Sequence, residues 1–122
     1  MVYIDTNIVM RYLLDDHLEL STKARQIIDS NTKIFICDGV CAEIVYVLSK
    51  VYKVERLIIK QTISSFLEKD NINASNNQII TKSLEIFSQQ NIDYIDSLLC
   101  AYNYVDNIDI ITFDKKLNKL LN

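Results

Sequence analysis

Proline and tryptophan are absent from this sequence of 122 residues, and glycine and histidine each occur once. Without proline or glycine clusters no stretch has linker composition, and no internal repeat or low-complexity segment breaks the chain, so one domain spanning residues 1–122 is expected. Long apolar runs are missing as well: each is a few residues long and interrupted by charge, which excludes a membrane span. The amino terminus shows no basic-then-apolar leader, and a cytoplasmic protein is expected. Three cysteines, Cys37, Cys41 and Cys100, are odd in number and form no CxxC pair. Free cysteine packs as a small hydrophobe, so all three are assigned to the core. His17 follows Asp15-Asp16 in a polar break and reads as a surface loop residue rather than a metal ligand. A formal net charge of −3 excludes a nucleic acid held by the global field. Any such partner needs a local basic rim or a bound metal.

What is present is a globular balance, 49% hydrophobic and 24% charged, arranged in alternating periods. Val2, Tyr3 and Ile4 make a short β-rich run that Asp5-Thr6-Asn7 breaks with cap and turn formers. The pattern predicts an inner parallel strand, buried on both faces, opening into a helix through Ile8, Val9, Tyr12 and Leu13. Leu20, Ala24, Ile27 and Ile28 predict a helix over 18–30, ended by Asn31 and Thr32. Lys33 to Cys37 reads as a second strand, and Asp38-Gly39 turns into a third helix with Val40, Ile44, Val47, Leu48 and Val51 on one stripe. Helices follow over 55–69, on Leu57, Ile58, Ile63, Phe66 and Leu67, and over 77–89, on Ile80, Leu84 and Phe87. Between them, residues 71–74 suit a polar edge strand. A helix over 92–105 places Ile95, Leu98, Leu99, Tyr102 and Val105 inward. Ile108 to Phe113 is a last strand before a short basic helix over 115–121. Strands alternating with helices imply βαβ units, hence an α/β fold with a parallel sheet covered on both faces.

Four acidic residues, Asp5, Glu43, Asp96 and Asp114, stand out against this frame. Asp5 and Asp114 each end a predicted strand, and ligands of open α/β sheets bind at the carboxyl ends of strands. Glu43 lies at the shoulder of the apolar stripe of its helix, where an unpaired carboxylate is costly. Asp93 and Asp96 share one helical first turn; Asp93 points away from the apolar stripe as an N-cap, and Asp96 lies nearer its edge. At about 5 Å and an effective dielectric near 20, each ionised pair repels by about 3 kcal/mol, which a cation relieves. Hard oxygen ligands without histidine or cysteine suit Mg²⁺ or Mn²⁺. Such a metal activates water and stabilises the leaving oxygen of a phosphodiester, the chemistry of a nuclease.

The segments IDTN at Ile4 to Asn7, AEIVYVL at Ala42 to Leu48, DYIDSLLCA at Asp93 to Ala101 and TFDKKL at Thr112 to Leu117 resemble the motifs of the PIN-domain family, in order, and those of VapC-type toxins in particular. The resemblance implies a three-layer α/β/α fold around a mostly parallel sheet of about four strands. It implies a divalent-metal-dependent endoribonuclease, the toxin of a toxin-antitoxin pair, with an RNA substrate, a cognate antitoxin protein and a homodimer. On it, Asp5, Glu43, Asp96 and Asp114 hold Mg²⁺ or Mn²⁺, and Asn7 and Thr112 support them, with Asp93 as an acidic competitor beside Asp96. Relatives often add a strand after the TFD motif, soon after which this sequence ends. Arg11, Lys115 and Lys116 are the candidates for phosphate contact. Two other classes compete: a phosphoacceptor receiver module, whose order of carboxylates fits poorly, and a PIN scaffold that binds RNA or protein without cleaving.

Overall fold

A computed structural model of the chain describes residues 1–30 and 33–122. The Asn31-Thr32 helix stop lies outside them. The strands β1 (Val2–Tyr3), β2 (Ile34–Ile36) and β3 (Ile72–Ala74) form one parallel sheet in the order β1-β2-β3. Val2 pairs with Ile34, and Ile34 in turn with Ile72. The intervening helices are α1 (Thr6–Leu14), α2 (Leu18–Ser30), α3 (Asp38–Tyr46) and α4 (Arg56–Leu67), and beyond the sheet come α5 (Asn77–Gln89), α6 (Tyr94–Asp106) and α7 (Lys115–Leu120). Helices joining parallel strands make this an α/β fold with two βαβ crossovers.

Sequence explains the element ends. Asp5 caps α1, and Asp15 closes it in the left-handed region at φ 49°, its N–H returning to the Arg11 carbonyl. Asn76 caps α5 through the Ile79 N–H, and Asn107, at φ 57°, ends α6. Ile28, Ile34, Ile36, Ile44, Ile59, Ile72, Ile80 and Leu84 are fully buried in the main core. Each contributes about 1.5–3 kcal/mol by leaving water. Helix α5 serves two cores: Ile80, Leu84 and Phe87 face the sheet side, while Ile79 and Ile86 join Ile92, Cys100, Ala101 and Leu117.

The structure corrects several expectations. Residues 108–113 form no strand; Ile111 is 97% exposed and Phe113 fully so. Their backbone is held by side chains instead, the Ile108 carbonyl by Asn103 Nδ2 at 3.0 Å and the Thr112 carbonyl by Asn118 Nδ2 at 2.9 Å. With no ladder partner, β propensity alone makes no strand. Among the described residues the sheet therefore has three strands where about four were expected, and β1 is an exposed edge rather than an inner strand. On α6 the buried face is Tyr94, Ser97, Cys100, Ala101 and Asn103, with Ile95 55% exposed. Small side chains let α5 and α6 approach closely, and a buried hydrogen bond of 2.8 Å between Ser83 Oγ and the Tyr94 hydroxyl spans them. On α4, Ile59, Ile63 and Phe66 are inward and Leu57 and Ile58 are exposed. Cys37 is exposed, unlike the buried Cys41 and Cys100.

Candidate active site

Because the strands run parallel, the residues that follow β1 and β2 emerge at one edge of the sheet. Asp5 follows β1, and its Oδ1 accepts the Ile8 N–H at 3.1 Å as the cap of α1. Two residues after β2, Asp38 opens α3, and its Oδ2 accepts a 3.0 Å hydrogen bond from the Tyr102 hydroxyl. That bond ties the middle of α6 to the start of α3. It also pushes the Tyr102 phenol up from its ordinary value, with partial burial and the Asp38 charge adding to the effect.

Glu43 is exposed on α3 and lines a cleft of about 190 Å³ with Thr6, Asn7, Met10, Arg11 and Leu14 of α1 and with Val47 and Tyr52. Glu43 and Asn7 thus meet across one opening, two residues beyond Asp5. Arg11 stands on the same wall and reaches Asp16 at 3.4 Å. An exposed pair of that length is weak, and the guanidinium is free to turn toward an anion.

A second acidic group gathers at the start of α6. Asp93 occupies the N-cap position as expected, yet its carboxylate makes no cap bond. Asp96, one turn on, is half-buried, and its carboxyl is pushed up from the ordinary range by partial burial and then by the charges of Asp114 and Asp93. Three carboxylates therefore share one field. Asp114 caps α7, accepting the Leu117 N–H at 2.8 Å, and Thr112 Oγ1 accepts the Asp114 N–H at 3.0 Å. Thr112 thus steadies the Asp114 backbone. Lys116 Nζ donates to the Asn91 carbonyl, which fastens α7 to the α5–α6 turn, whereas Lys115 is exposed.

The structure sets Asp96 within the electrostatic reach of Asp114 and Asp93 and sets Glu43 beside Asn7 and Arg11. It does not bring Asp5, Glu43, Asp96 and Asp114 into one cluster: among the described residues no three acidic, cysteine or histidine side chains are spaced to hold a metal ion. The donor chemistry nonetheless fits a hard divalent cation, because a bound cation offsets both the partial burial and the carboxylate repulsion that raise Asp96.

A PIN domain family model matches residues 2–120. The chain belongs to the PIN domain family. PIN domains are generally nucleases and generally use divalent metal ions. No curated protein matches the chain significantly. Among the described residues of this PIN domain, no helix is long and apolar enough to cross a membrane.

Two positions at the site were not singled out from sequence. Asp38 follows an apolar strand just as Asp5 does, and that parallel was a readable signal. Arg56 had none. Its Nη1 reaches the carbonyls of Phe87, Gln90 and Ile92 at 3.0, 2.8 and 2.8 Å, and its guanidinium lies 4.1 Å from the Phe87 ring centre. Together with Lys116 on the Asn91 carbonyl, this side chain holds the turn that launches α6, and with it Asp93 and Asp96.

Proposed function

We propose that this PIN domain is a metal-dependent endoribonuclease and the toxin of a toxin-antitoxin pair, working in the cytoplasm as a homodimer that a cognate antitoxin silences. The observation that carries the reading is the setting of Asp96, whose carboxyl is pushed up by partial burial and then by the charges of Asp114 and Asp93. Asp96 and Asp114, with Asp5 and Glu43 from the sheet edge, are the residues that would hold Mg²⁺ or Mn²⁺. When bound, the ion supplies activation of water and charge neutralisation at the phosphodiester. The chain's own residues do the rest. Thr112 fixes the backbone of Asp114, Asn7 offers an amide beside Glu43, and Arg11 and Lys115 meet backbone phosphates. Lys116 is occupied by the Asn91 carbonyl and acts on the frame.

A second reading, a scaffold that binds RNA or protein without cutting, draws on two facts. The four carboxylates are not gathered into one cluster, and those of Asp5 and Asp114 already serve as helix caps. Cleavage of a folded RNA with Mn²⁺, Mg²⁺ or EDTA separates the two. The nuclease reading expects metal-dependent cutting that Asp96→Asn abolishes and Asp93→Asn preserves. Folded protein that binds RNA but cuts none in either metal would establish the scaffold.

A further inference from the structure

The cleft beside Glu43 is built by an irregularity in α3. After Tyr46 the helix widens into a π turn over Val47–Val51, so the Tyr52 N–H returns to the Val47 carbonyl, five residues back, at 3.1 Å. In a continuous α-helix Val51 would make that bond and stand one turn above Val47. The extra residue in the turn gives that place to Tyr52 and turns Val51 out to 62% exposure. Widened turns of this kind mark functional positions in helices. The chain then stops the helix at Lys53, a non-glycine residue in the left-handed region at φ 56°. Tyr52 is left with its ring partly exposed on the wall of the cleft, opposite Asn7 and Arg11 of α1.

The volume, about 190 Å³, is below the roughly 300–1,000 Å³ of pockets that take whole drug-sized ligands. It suits a single flat ring system. The lining supplies what such a ring needs: an aromatic face in Tyr52, an amide with both donor and acceptor in Asn7, and apolar contact from Met10, Leu14 and Val47. Arg11 at the rim is the local cation that the net charge of −3 requires for a phosphate. Glu43 forms the wall shared with the proposed cutting site.

We propose that this cleft is a nucleobase subsite, in which one unpaired base of a single-stranded RNA stacks on Tyr52 while its flanking phosphate meets Arg11. The proposal rests on the nuclease reading and assigns it a substrate feature: the strand is unpaired at the nucleotide next to the scissile phosphate. Stacking on an aromatic side chain tolerates every base, and the Asn7 amide adds preference through the base edge.

The test uses the full chain carrying Asp5→Asn, so that RNA stays intact, and a fluorescently labelled, unstructured oligoribonucleotide read by anisotropy. Tyr52→Ala is expected to weaken binding about tenfold, within the range of base–aromatic stacking. Tyr52→Phe restores it, and Val51→Ala, on the solvent side of the π turn, changes nothing. Oligonucleotides with an abasic nucleotide at each position in turn contain one that binds both the parent and the Tyr52→Ala protein equally weakly. Arg11→Gln lowers the slope of log affinity against log salt by about one, which keeps the proposal testable should Tyr52→Ala fold poorly. Binding within twofold of the parent for folded Tyr52→Ala, or no abasic position that abolishes the difference, overturns the subsite, as expected if the cleft receives a side chain of a protein partner instead. Should the unsubstituted protein still cut RNA, the nuclease reading survives that result. If that protein neither binds nor cuts RNA in Mg²⁺ or Mn²⁺, both readings fall together.

Discussion

Replacing Arg56 should loosen the start of α6 more than any surface charge change elsewhere. One guanidinium nitrogen has two hydrogens and here faces three carbonyls, at 3.0, 2.8 and 2.8 Å, so two bonds form well and one hydrogen is shared. Hydrogen bonds to a charged group contribute about 1.5–3 kcal/mol each. The site is only half-buried and the Gln90 carbonyl can turn to water, so the low end applies; contact with the Phe87 ring adds roughly 0.5–1 kcal/mol. Arg56→Ala is therefore expected to lose about 2–3 kcal/mol of unfolding free energy, and Arg56→Lys about half of that, since an ammonium offers a point charge without the planar fork. For a chain of this size the alanine variant should melt roughly 6–12 °C lower. Urea and thermal unfolding followed by circular dichroism measure both. A loss under about 0.5 kcal/mol for Arg56→Ala, or a lysine variant as stable as the parent, would refute the clamp. Cleavage assayed well below the melting temperature adds a functional check, since a displaced α6 start should lower kcat through Asp96 while leaving KM nearly unchanged.

Asp114→Ala removes a helix cap as well as a charge and should cost about 0.5–2 kcal/mol. Asp114→Asn keeps the capping oxygen and should unfold like the parent, which makes asparagine the cleaner probe of the acidic site. For Asp96 the sign follows from its raised pKa in the fold: the stability of its protonated form is present below the ordinary carboxylate range and lost as pH rises through the raised value. In EDTA, the stability of the parent minus that of Asp96→Asn should thus fall with rising pH across that interval, and a flat difference would refute it. Thiol titration should find Cys37 reactive in the folded protein and Cys41 and Cys100 only after denaturation. Burial pushes the Cys41 thiol up to about 12, with the charge of Asp38 adding to the effect. Rapid labelling of Cys41 in native protein would contradict that burial. Ile111→Ser and Phe113→Ser remove apolar surface that the fold leaves in water, so unfolding free energy should change by less than about 0.5 kcal/mol. A drop well above that would show that residues 108–113 pack against the protein.

Much of this protein was legible because its local signals agree with one another. Helices α2 and α5 run over the residues their apolar periods predicted, and β1, β2 and β3 occur where short β-rich runs stand between helical patterns. The acidic motif positions could be picked out in the same way, as carboxylates near predicted strand ends and helix starts, within a span, residues 2–120, that a PIN domain family model matches. Tertiary structure decided the rest. Which face of α6 turns inward depended on Ser97, Cys100 and Ala101 being small enough for α5 to approach, a property that a hydropathy stripe ranks below Ile95. Ile108 to Phe113 has the composition of a strand, but a strand exists only where another edge accepts its hydrogen bonds, and here side-chain amides accept that role. The π turn that exchanges Val51 for Tyr52 above Val47 leaves no periodic trace, because it shifts the phase of a helix by one residue after the last stripe position is read. The chain by itself determined which residue types stand at the ends of its elements. Only packing decided which of them meet, because the field around Asp96 and the cleft beside Glu43 arise between elements distant in sequence.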